Sequence, residues 1–598
     1  MRGSTLRLAF VFLSSIGTLW GCGRAQEGIR TQKDVQVPMS DGVVLAADIY
    51  FPPGKGPFPV LLMRTPYNKT DKEGVAAAEP FAKHGYVVVL MDSRGLYASH
   101  GEWHPYIDEG KDGYDTQQWI GHQSWCNGKI GMWGISYPGY QALIAAPYRS
   151  EYVKAIMPIG SQSDNFGSVW STNGMLHLAF AFQWATLEEA VHEKKQIPTL
   201  PILGDSVNSI DWMKLTTDLP IKGSLDHLGV HSQFLGDVIA HSTYDDFWKR
   251  MSLHTRYRDM DVPSFFVTGW FDGLLHENFT NFTNMRKLSR SEHARRWQKL
   301  LVGPWKHGDT SRTELDGVSF GPQSSVDLHA LELRWFDYQV KGISNGIETE
   351  PPIRVFVMGR NEWRDFTEWP PASARPTALY LHSDGFANTR FGGGALSPDT
   401  ARDELVDHYS YDPRSPIPTF GGHECCGGEM AAAGPRDQRT IQGMLGVLVY
   451  SSKPLDSELE VIGAPELDLS FSTDVPDTDF FITLSDSEPN GPSNLVTEGF
   501  LRARFRDSLE SPSMLVPGRI YKVTIPLWET AYVFKTKHQV TLQITSSNFP
   551  GFDRNLNTAK PLGEGTEADI RIAHQTIYHT QANSSVLILP VIPNGSAK

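Results

Sequence analysis

This chain of 598 residues has few cysteines, no excess of positive charge and few long apolar runs. With a net charge of -14, the sequence lacks the clustered basic face of a nucleic-acid-binding protein, so no nucleic-acid partner is expected. Beyond the N-terminus no segment reaches the roughly 18 uninterrupted apolar residues of a membrane-spanning helix, so no integral membrane span is expected. The length and the 40% hydrophobic content indicate an ordinary folded protein of roughly two to four domains.

The N-terminus has the pattern of a targeting segment. Arg2 and Arg7 precede an apolar run at residues 8–20 that is short for a membrane span. We therefore expect a signal peptide over residues 1–25 and export to a bacterial periplasm or to the extracellular space. Cleavage at the end of this segment gives a soluble protein. The alternative is a lipoprotein anchored at Cys22, because the residues before it loosely resemble a lipobox.

Removal of that segment leaves Cys126, Cys425 and Cys426, an odd number for an oxidising compartment. One thiol must then stay free or pair outside the chain. Two pairings are open: a vicinal disulfide between Cys425 and Cys426, or a bridge from one of them to Cys126. A metal site with the neighbouring His423 and Glu424 is disfavoured because the spacing is not that of a zinc motif. No metal or cofactor is expected.

The most informative motif delivers a serine between glycines, directly after an apolar run. The sequence GISYPG at residues 134–139 presents Ser136 in this way. A serine hydroxyl becomes a nucleophile only on a tight exposed turn, beside a base and near backbone N–H donors. Pro138 stands where the common elbow motif has its second glycine, and that glycine is delayed to Gly139. Alone, the motif also fits an ordinary turn.

Two polar residues further along the chain follow apolar runs typical of buried strands. Asp272 ends the pattern at residues 262–272, and His307 ends the pattern at residues 299–307. The order is therefore serine, acid, histidine, with each residue just past the carboxyl end of a predicted strand. An α/β-hydrolase sheet requires this order and placement, so the three residues are predicted to form a catalytic triad.

These motifs resemble the cocaine esterase and X-Pro dipeptidyl-peptidase family of serine hydrolases, which also includes α-amino-acid ester hydrolases and glutaryl-7-aminocephalosporanic-acid acylases. The family form of the elbow is Gly-x-Ser-Tyr-x-Gly, as it stands here at residues 134–139. The resemblance also covers RTPY at 64–67, DSRG at 92–95, WCNG at 125–128, GWFD at 269–272, GPWKH at 303–307 and SSNFP at 546–550. It implies an α/β-hydrolase fold with a C-terminal jelly roll.

The chemistry of these residues gives each of them an expected role. His307 should accept the Ser136 proton during attack on an acyl carbonyl, while Asp272 fixes the imidazole tautomer. The backbone N–H of Tyr137 is the natural first donor to the oxyanion because it follows the nucleophile. The resemblance implies the Tyr67 hydroxyl as the second donor.

The pattern of apolar and polar residues predicts three zones along the chain. Strand and helix patterns alternate over residues 30–160 and again over 251–347, which indicates a parallel sheet. Residues 161–250 are rich in helix formers and aromatics, including the candidate pocket residue Trp170, and are predicted to form a helical cap. Short alternating runs over residues 351–592 predict an all-β sandwich.

The sequence gives little information about substrate specificity. Asp245 and Asp246, at the return from the cap, are candidates for binding a substrate ammonium group, although both also fit helix-start carboxylates. We expect hydrolysis of small-molecule or short-peptide acyl esters or amides with an apolar or aromatic acyl group. X-Pro dipeptidyl-peptidase activity is the alternative, and an inactive binding protein that uses the β-sandwich is the alternative from another class. A homo-oligomer is compatible with all of them.

Overall fold

A computed structural model describes residues 28–192, 211–226, 229–400, 402–428 and 430–593. The predicted signal peptide and Cys22 lie outside these residues. No helix in the described ranges is both long and apolar enough to cross a bilayer.

Up to Phe366, the described residues contain fourteen strands and ten α-helices. The strands are β1 (Arg30–Pro38), β2 (Val44–Phe51), β3 (Phe58–Thr65), β4 (Val87–Asp92), β5 (Cys126–Ile135), β6 (Val153–Ile159), β7 (Ser171–Thr172), β8 (Met175–Leu176), β9 (Ser264–Gly269), β10 (Gln298–Gly303), β11 (Glu314–Leu315), β12 (Val318–Ser319), β13 (Ile353–Val357) and β14 (Glu362–Phe366). The helices are α1 (Lys72–Lys83), α2 (Glu109–Gly121), α3 (Tyr137–Ala145), α4 (Leu178–His192), α5 (Trp212–Thr217), α6 (Gln233–Ala240), α7 (Asp246–Lys249), α8 (Leu275–Leu288), α9 (Glu292–Arg296) and α10 (Leu328–Phe336).

Ten of these strands form one sheet, in the order β1-β2-β4-β3-β5-β6-β9-β10-β13-β14. The strands from β4 to β13 in that order run parallel, while β1, β2 and β14 pair antiparallel at the edges. Strands β4, β9 and β10 are buried along their whole length, which is why they appear in the sequence as continuous apolar runs. The parallel arrangement brings the carboxyl ends of β3, β5, β6, β9 and β10 to one edge.

One strand assignment from the sequence is wrong. The alternating run that begins at Ile353 falls in the range predicted to form the C-terminal sandwich. It instead forms β13, which pairs parallel with β10, and β14 then forms the edge of the first sheet. The short alternating pattern gives the strand correctly but carries no information about its partner, because period-2 alternation is common to both sheets.

The predicted cap region contains α4, α5, α6 and α7 together with the small β7–β8 hairpin. Helix α4 starts with the run LAFAFQWA, which is apolar on all sides, and this part of the helix is buried. Ser232 caps α6 by accepting a hydrogen bond from the Leu235 N–H at 3.0 Å. The cap therefore rests on the sheet as a packed layer rather than as an open loop.

The remaining strands form a second, thirteen-stranded sheet system. They are β15 (Arg375–His382), β16 (Ala395–Ser397), β17 (Asp407–Tyr411), β18 (Leu448–Ser452), β19 (Leu459–Gly463), β20 (Glu466–Thr473), β21 (Asp479–Ser487), β22 (Ser493–Arg502), β23 (Tyr521–Pro526), β24 (Thr530–Phe534), β25 (Gln539–Thr545), β26 (Ala573–Tyr578) and β27 (Val586–Ile592). Phe500, Trp528 and Phe552 from this part belong to the same apolar core as the first sheet and the cap. The Leu176 N–H also donates to Asp553 at 2.7 Å, so the C-terminal domain is joined to the cap.

Candidate active site

Ser136 lies on the turn between β5 and α3, as the elbow motif predicts. Its backbone has φ 63° and ψ −125°, a conformation that non-glycine residues rarely adopt. A Cβ at Gly134 would collide with Pro138, and a Cβ at Gly139 would collide with Ser161. The delayed glycine of the motif therefore has a steric reason, since Ser161 occupies the space beside position 139. The half-buried Ser136 remains accessible to solvent at this turn.

Asp272 and His307 meet at the same edge of the sheet. They follow the paired parallel strands β9 and β10, and His307 Nδ1 lies 3.0 Å from Asp272 Oδ1. The buried carboxylate is fixed further by the Leu274 N–H at 2.9 Å and the Thr268 hydroxyl at 3.2 Å. Because an ionised carboxylate only accepts hydrogen bonds, Nδ1 carries the proton and Nε2 keeps its lone pair.

The pKa of His307 responds to two opposing influences. Burial alone would lower it, but the charge and the hydrogen bond of Asp272 raise the pKa of His307 above its ordinary value of 6.5. The Asp272 carboxylate therefore stabilises the imidazolium form, which a general base must pass through after it takes a proton.

Gly160 connects the serine turn with this pair. It follows β6, whose last residue, Ile159, accepts a hydrogen bond from the Ser136 N–H at 2.9 Å. A Cβ at Gly160 would lie 2.6 Å from Asp272 Oδ2 and 3.1 Å from His307 Nδ1. Gly160 therefore contacts the Asp272–His307 pair and directly follows the residue that binds the Ser136 N–H, at the carboxyl edge of the sheet.

Tyr67 follows β3, the neighbour of β5, and its side chain lies near Ser136 and Trp184. Burial raises the pKa of Tyr67 to about 12, against the opposing effect of hydrogen bonds with Trp184 and Ser136. The hydroxyl is therefore protonated at neutral pH. A protonated phenol can donate a hydrogen bond, so the Tyr67 hydroxyl is a candidate donor beside Ser136.

Tyr137 is held so that its backbone faces the site. Its buried hydroxyl accepts from the Tyr106 N–H at 2.7 Å and donates to Glu109 at 3.1 Å. Glu109 in turn forms a buried ion pair with Arg64 at 2.8 Å. As the first residue of α3, Tyr137 has an N–H with no partner inside the helix, so this donor is available to a ligand beside Ser136.

Trp170 is fully buried in an aromatic cluster that we call the cap cluster, formed by Trp103, Tyr106, Trp170, Trp184 and Phe234. Trp184 of this cluster stacks parallel to the Tyr137 ring, with centroids 6.4 Å apart and an interplanar angle of 9°. The cap cluster is therefore in direct contact with the residue that follows the nucleophile.

Of the two candidate carboxylates at the return from the cap, Asp245 is bound by other groups and Asp246 is exposed. Asp245 caps α7 by accepting from the Phe247 N–H at 2.9 Å, and its second oxygen lies 2.6 Å from His241 Nδ1. Asp246 is exposed in the first turn of the same helix. These contacts agree with the interpretation of both residues as helix-start carboxylates.

A charged cluster near the site was missed by the sequence reasoning. Asp164 lies 3.2 Å from His254 Nδ1, and Glu277 lies 3.5 Å from His254 Nε2. Burial and the Glu277 charge raise the pKa of Asp164 to about 6, while the two carboxylates outweigh burial and raise the pKa of His254 to about 9. One signal was available: Asp164 comes just after β6, at the edge where Ser136 lies.

The cysteine pairing is also decided by the structure. Cys425 and Cys426 form a vicinal disulfide, and Cys126 is a half-buried free thiol within the described residues. A Cβ at Gly273 would lie 2.8 Å from the Cys425 nitrogen, so the disulfide packs against the residue that follows Asp272. His423 and Glu424, considered above for a metal, contact Glu498 and His177 instead.

Comparison with known proteins identifies the family. The cocaine esterase of Rhodococcus sp. (strain MB1 Bresler) is 33% identical over 577 residues, which cover 94% of this chain and 98% of the relative. The chain belongs to the cocaine esterase and X-Pro dipeptidyl-peptidase family of serine hydrolases. The family profiles for the X-Pro dipeptidyl-peptidase (S15 family) and for its C-terminal non-catalytic domain match residues 41–309 and 345–588 of this family member.

Two solved structures have the fold of this family member. An aminopeptidase from the marine sediment archaeon Thaumarchaeota archaeon has a TM-score of 0.82 at 24% identity, covering 97% of this chain and 99% of its own. An α-amino acid ester hydrolase has a TM-score of 0.80 at 24% identity, covering 97% and 98%. The predicted α/β-hydrolase fold with a C-terminal sheet-rich domain is confirmed.

Proposed function

We propose that this chain is an exported serine hydrolase that cleaves acyl ester or amide bonds through an acyl-enzyme formed on Ser136. The observation that carries the proposal is the 3.0 Å contact between His307 and Asp272, at the edge where Ser136 stands on its strained turn. Catalysis belongs to the first sheet and the cap in this proposal, while the C-terminal domain supports the site.

The proposed reaction begins with proton transfer from Ser136 to Nε2 of His307. The serine oxygen attacks the acyl carbonyl, and the imidazolium that forms is stabilised by Asp272. His307 then donates the proton to the leaving group. A water molecule deprotonated by His307 releases the acyl group from Ser136, so each half of the reaction uses the same base.

The developing oxyanion needs donors that are in place before the reaction. The Tyr67 hydroxyl, protonated at neutral pH and close to Ser136, supplies one, and the free N–H of Tyr137 supplies the other. Such donors stabilise the transition state more than the ground state because the charge on the carbonyl oxygen appears only during attack.

An apolar or aromatic acyl group suits the surroundings of Ser136. The cap cluster, which includes Trp170, packs on Tyr137, the residue that directly follows Ser136. The relative at 33% identity is named a cocaine esterase, which also favours ester hydrolysis.

X-Pro dipeptidyl-peptidase activity is the alternative. The description of the matching family profile favours it. A substrate with a free α-ammonium group needs a buried anion, because an unpaired buried cation is costly. Asp164 and Glu277 are buried carboxylates near the site, but His254 contacts both of them. Since this positive charge already occupies them, we favour substrates without a free ammonium group.

An inactive binding protein is the alternative from another class. A binding protein has no need of a histidine that is held by a fixed buried carboxylate, and the contact between His307 and Asp272 therefore weighs against this alternative. The arrangement is costly for a binder to maintain because it keeps Ser136 in a disfavoured backbone conformation.

A panel of chromogenic substrates tests the proposal. It compares p-nitrophenyl esters, aromatic esters, Xaa-Pro-anilides and glutaryl amides, with Ser136→Ala as the control for every substrate. We expect ester cleavage to dominate and to vanish in Ser136→Ala. Dominant cleavage of Xaa-Pro-anilides would establish the alternative, and turnover that survives in Ser136→Ala would refute the acyl-enzyme.

A further inference from the structure

The vicinal disulfide brings two sulfur atoms next to the proposed catalytic base. A ring nitrogen of His307 and the Sγ atoms of Cys425 and Cys426 all lie within 4.8 Å of one another. His307 comes from the first sheet and the two cysteines from the C-terminal domain. The proposed reaction gives the sulfur atoms no task, so their position calls for another explanation.

Both sides of this group are held by the fold. Asp272 fixes the His307 ring, and the cysteine loop is anchored where the His423 N–H donates to Glu498 at 2.6 Å. Cys425 is almost fully buried against Gly273, whereas Cys426 is half-buried. The imidazole and the two sulfur atoms therefore already lie close together before any reduction.

We propose that reduction of the Cys425–Cys426 disulfide creates a site for a thiophilic divalent cation, with Zn²⁺ as the best fit, whose third ligand is His307. A dithiol reductant supplies two electrons and two protons, so the disulfide becomes two thiols while the reductant becomes a cyclic disulfide. Binding of Zn²⁺ then releases the two thiol protons and forms two Zn–S bonds. Solvent supplies the fourth ligand.

The dimensions of a tetrahedral zinc site agree with this assignment. With Zn–S bonds of about 2.3 Å and a Zn–N bond of about 2.0 Å, the ligand atoms are separated by roughly 3.5–3.8 Å. A ring nitrogen of His307 and both sulfur atoms already lie within 4.8 Å of one another, so we expect rotation of the released cysteine side chains to bring their sulfur atoms to these separations from Nε2. The contact of Nδ1 with Asp272 also matches the carboxylate partner that metal-bound histidines usually have.

Occupation of the site has a direct consequence for catalysis, and this part rests on the proposed function. Because Nδ1 is bound to Asp272, the metal must use the Nε2 lone pair of His307. The Ser136 proton requires the same lone pair. Zn²⁺ and the reaction therefore exclude each other, so the disulfide form is active and the reduced, zinc-bound form is inactive.

Cobalt titration tests the site without any need for turnover. The full chain is reduced with a dithiol, freed of reductant without oxygen, and titrated with Co²⁺ while thiolate-to-cobalt absorption is recorded. We expect one Co²⁺ per chain in the reduced protein and in Cys126→Ser, and no band in the untreated protein or in the double variant Cys425→Ser, Cys426→Ser. His307→Ala should weaken binding at least about ten-fold, the loss caused by removing even an outer hydrogen-bond partner of a ligand.

Zinc inhibition tests the consequence. At free Zn²⁺ ten times its dissociation constant, the reduced enzyme should keep about one eleventh of its activity, and a chelator should restore the rest. The untreated enzyme should be unaffected. A missing cobalt band in an active enzyme, equal affinity in His307→Ala, or full hydrolysis with bound metal would each overturn the site. A cobalt band in a protein that hydrolyses none of the esters would contradict the proposed function instead.

Discussion

Replacing Tyr67 with phenylalanine removes one hydroxyl from the proposed oxyanion site and leaves the ring in place. This hydroxyl stays protonated at neutral pH because burial raises the pKa of Tyr67 to about 12. Loss of one oxyanion donor costs about 3 kcal/mol of transition-state stabilisation, so kcat should fall by roughly two to three powers of ten. KM should change little, since the oxyanion does not exist in the ground state.

The assay is steady-state hydrolysis of a p-nitrophenyl ester, with the melting temperature measured in parallel. The kinetics are measured well below the thermal transition, so that a loss of stability in Tyr67→Phe does not lower kcat. Tyr152→Phe is the matched control. It should keep normal kcat because Tyr152 directly precedes β6 and so lies at the end of that strand that is farther from Ser136. A kcat for Tyr67→Phe equal to that of this control would refute the assignment of the hydroxyl to the oxyanion.

Three further predictions follow from the same geometry. Because Asp272 raises the pKa of His307, the acid limb of the kcat/KM profile should lie above pH 6.5, and a limb below that value contradicts the ion pair. Gly160→Ala should lower kcat because its Cβ would press on Asp272, whereas Gly128→Ala, which also has positive φ but open space, should keep kcat. Arg64→Met removes the ion-pair partner of the buried Glu109 carboxylate and should lower the free energy of unfolding by about 3–5 kcal/mol. Urea titration measures this change, and an unchanged midpoint would contradict a buried ion pair.

The positions of the triad candidates were predictable because each one follows an apolar strand. Strands that are buried on both faces give continuous apolar runs, and parallel strands bring their carboxyl ends to one edge. The sequence therefore predicts one sheet edge for Ser136, Asp272 and His307, although it could not predict the 3.0 Å contact between Asp272 and His307. The steric reason for the glycine at position 139 became visible only when its neighbour Ser161 was known.

Contacts between distant segments were not predictable. The sheet that β13 joins depends on its neighbour β10, and nothing in its own alternation specifies that neighbour. The ion pairs that link Asp164, His254 and Glu277 connect three separate elements. The disulfide at Cys425 was one of two open pairings, and its approach to the first sheet depends on how the two domains pack.

The central claim is that Ser136 is activated by His307 and Asp272. A fluorophosphonate probe measures this most directly, because it forms a stable adduct only with an activated serine in the folded protein. Peptide mass spectrometry should find one adduct, on Ser136, that disappears in Ser136→Ala and is much slower to form in Asp272→Asn. Ester hydrolysis by a protein whose Ser136 stays unlabelled, or whose adduct forms on another residue, would contradict the account.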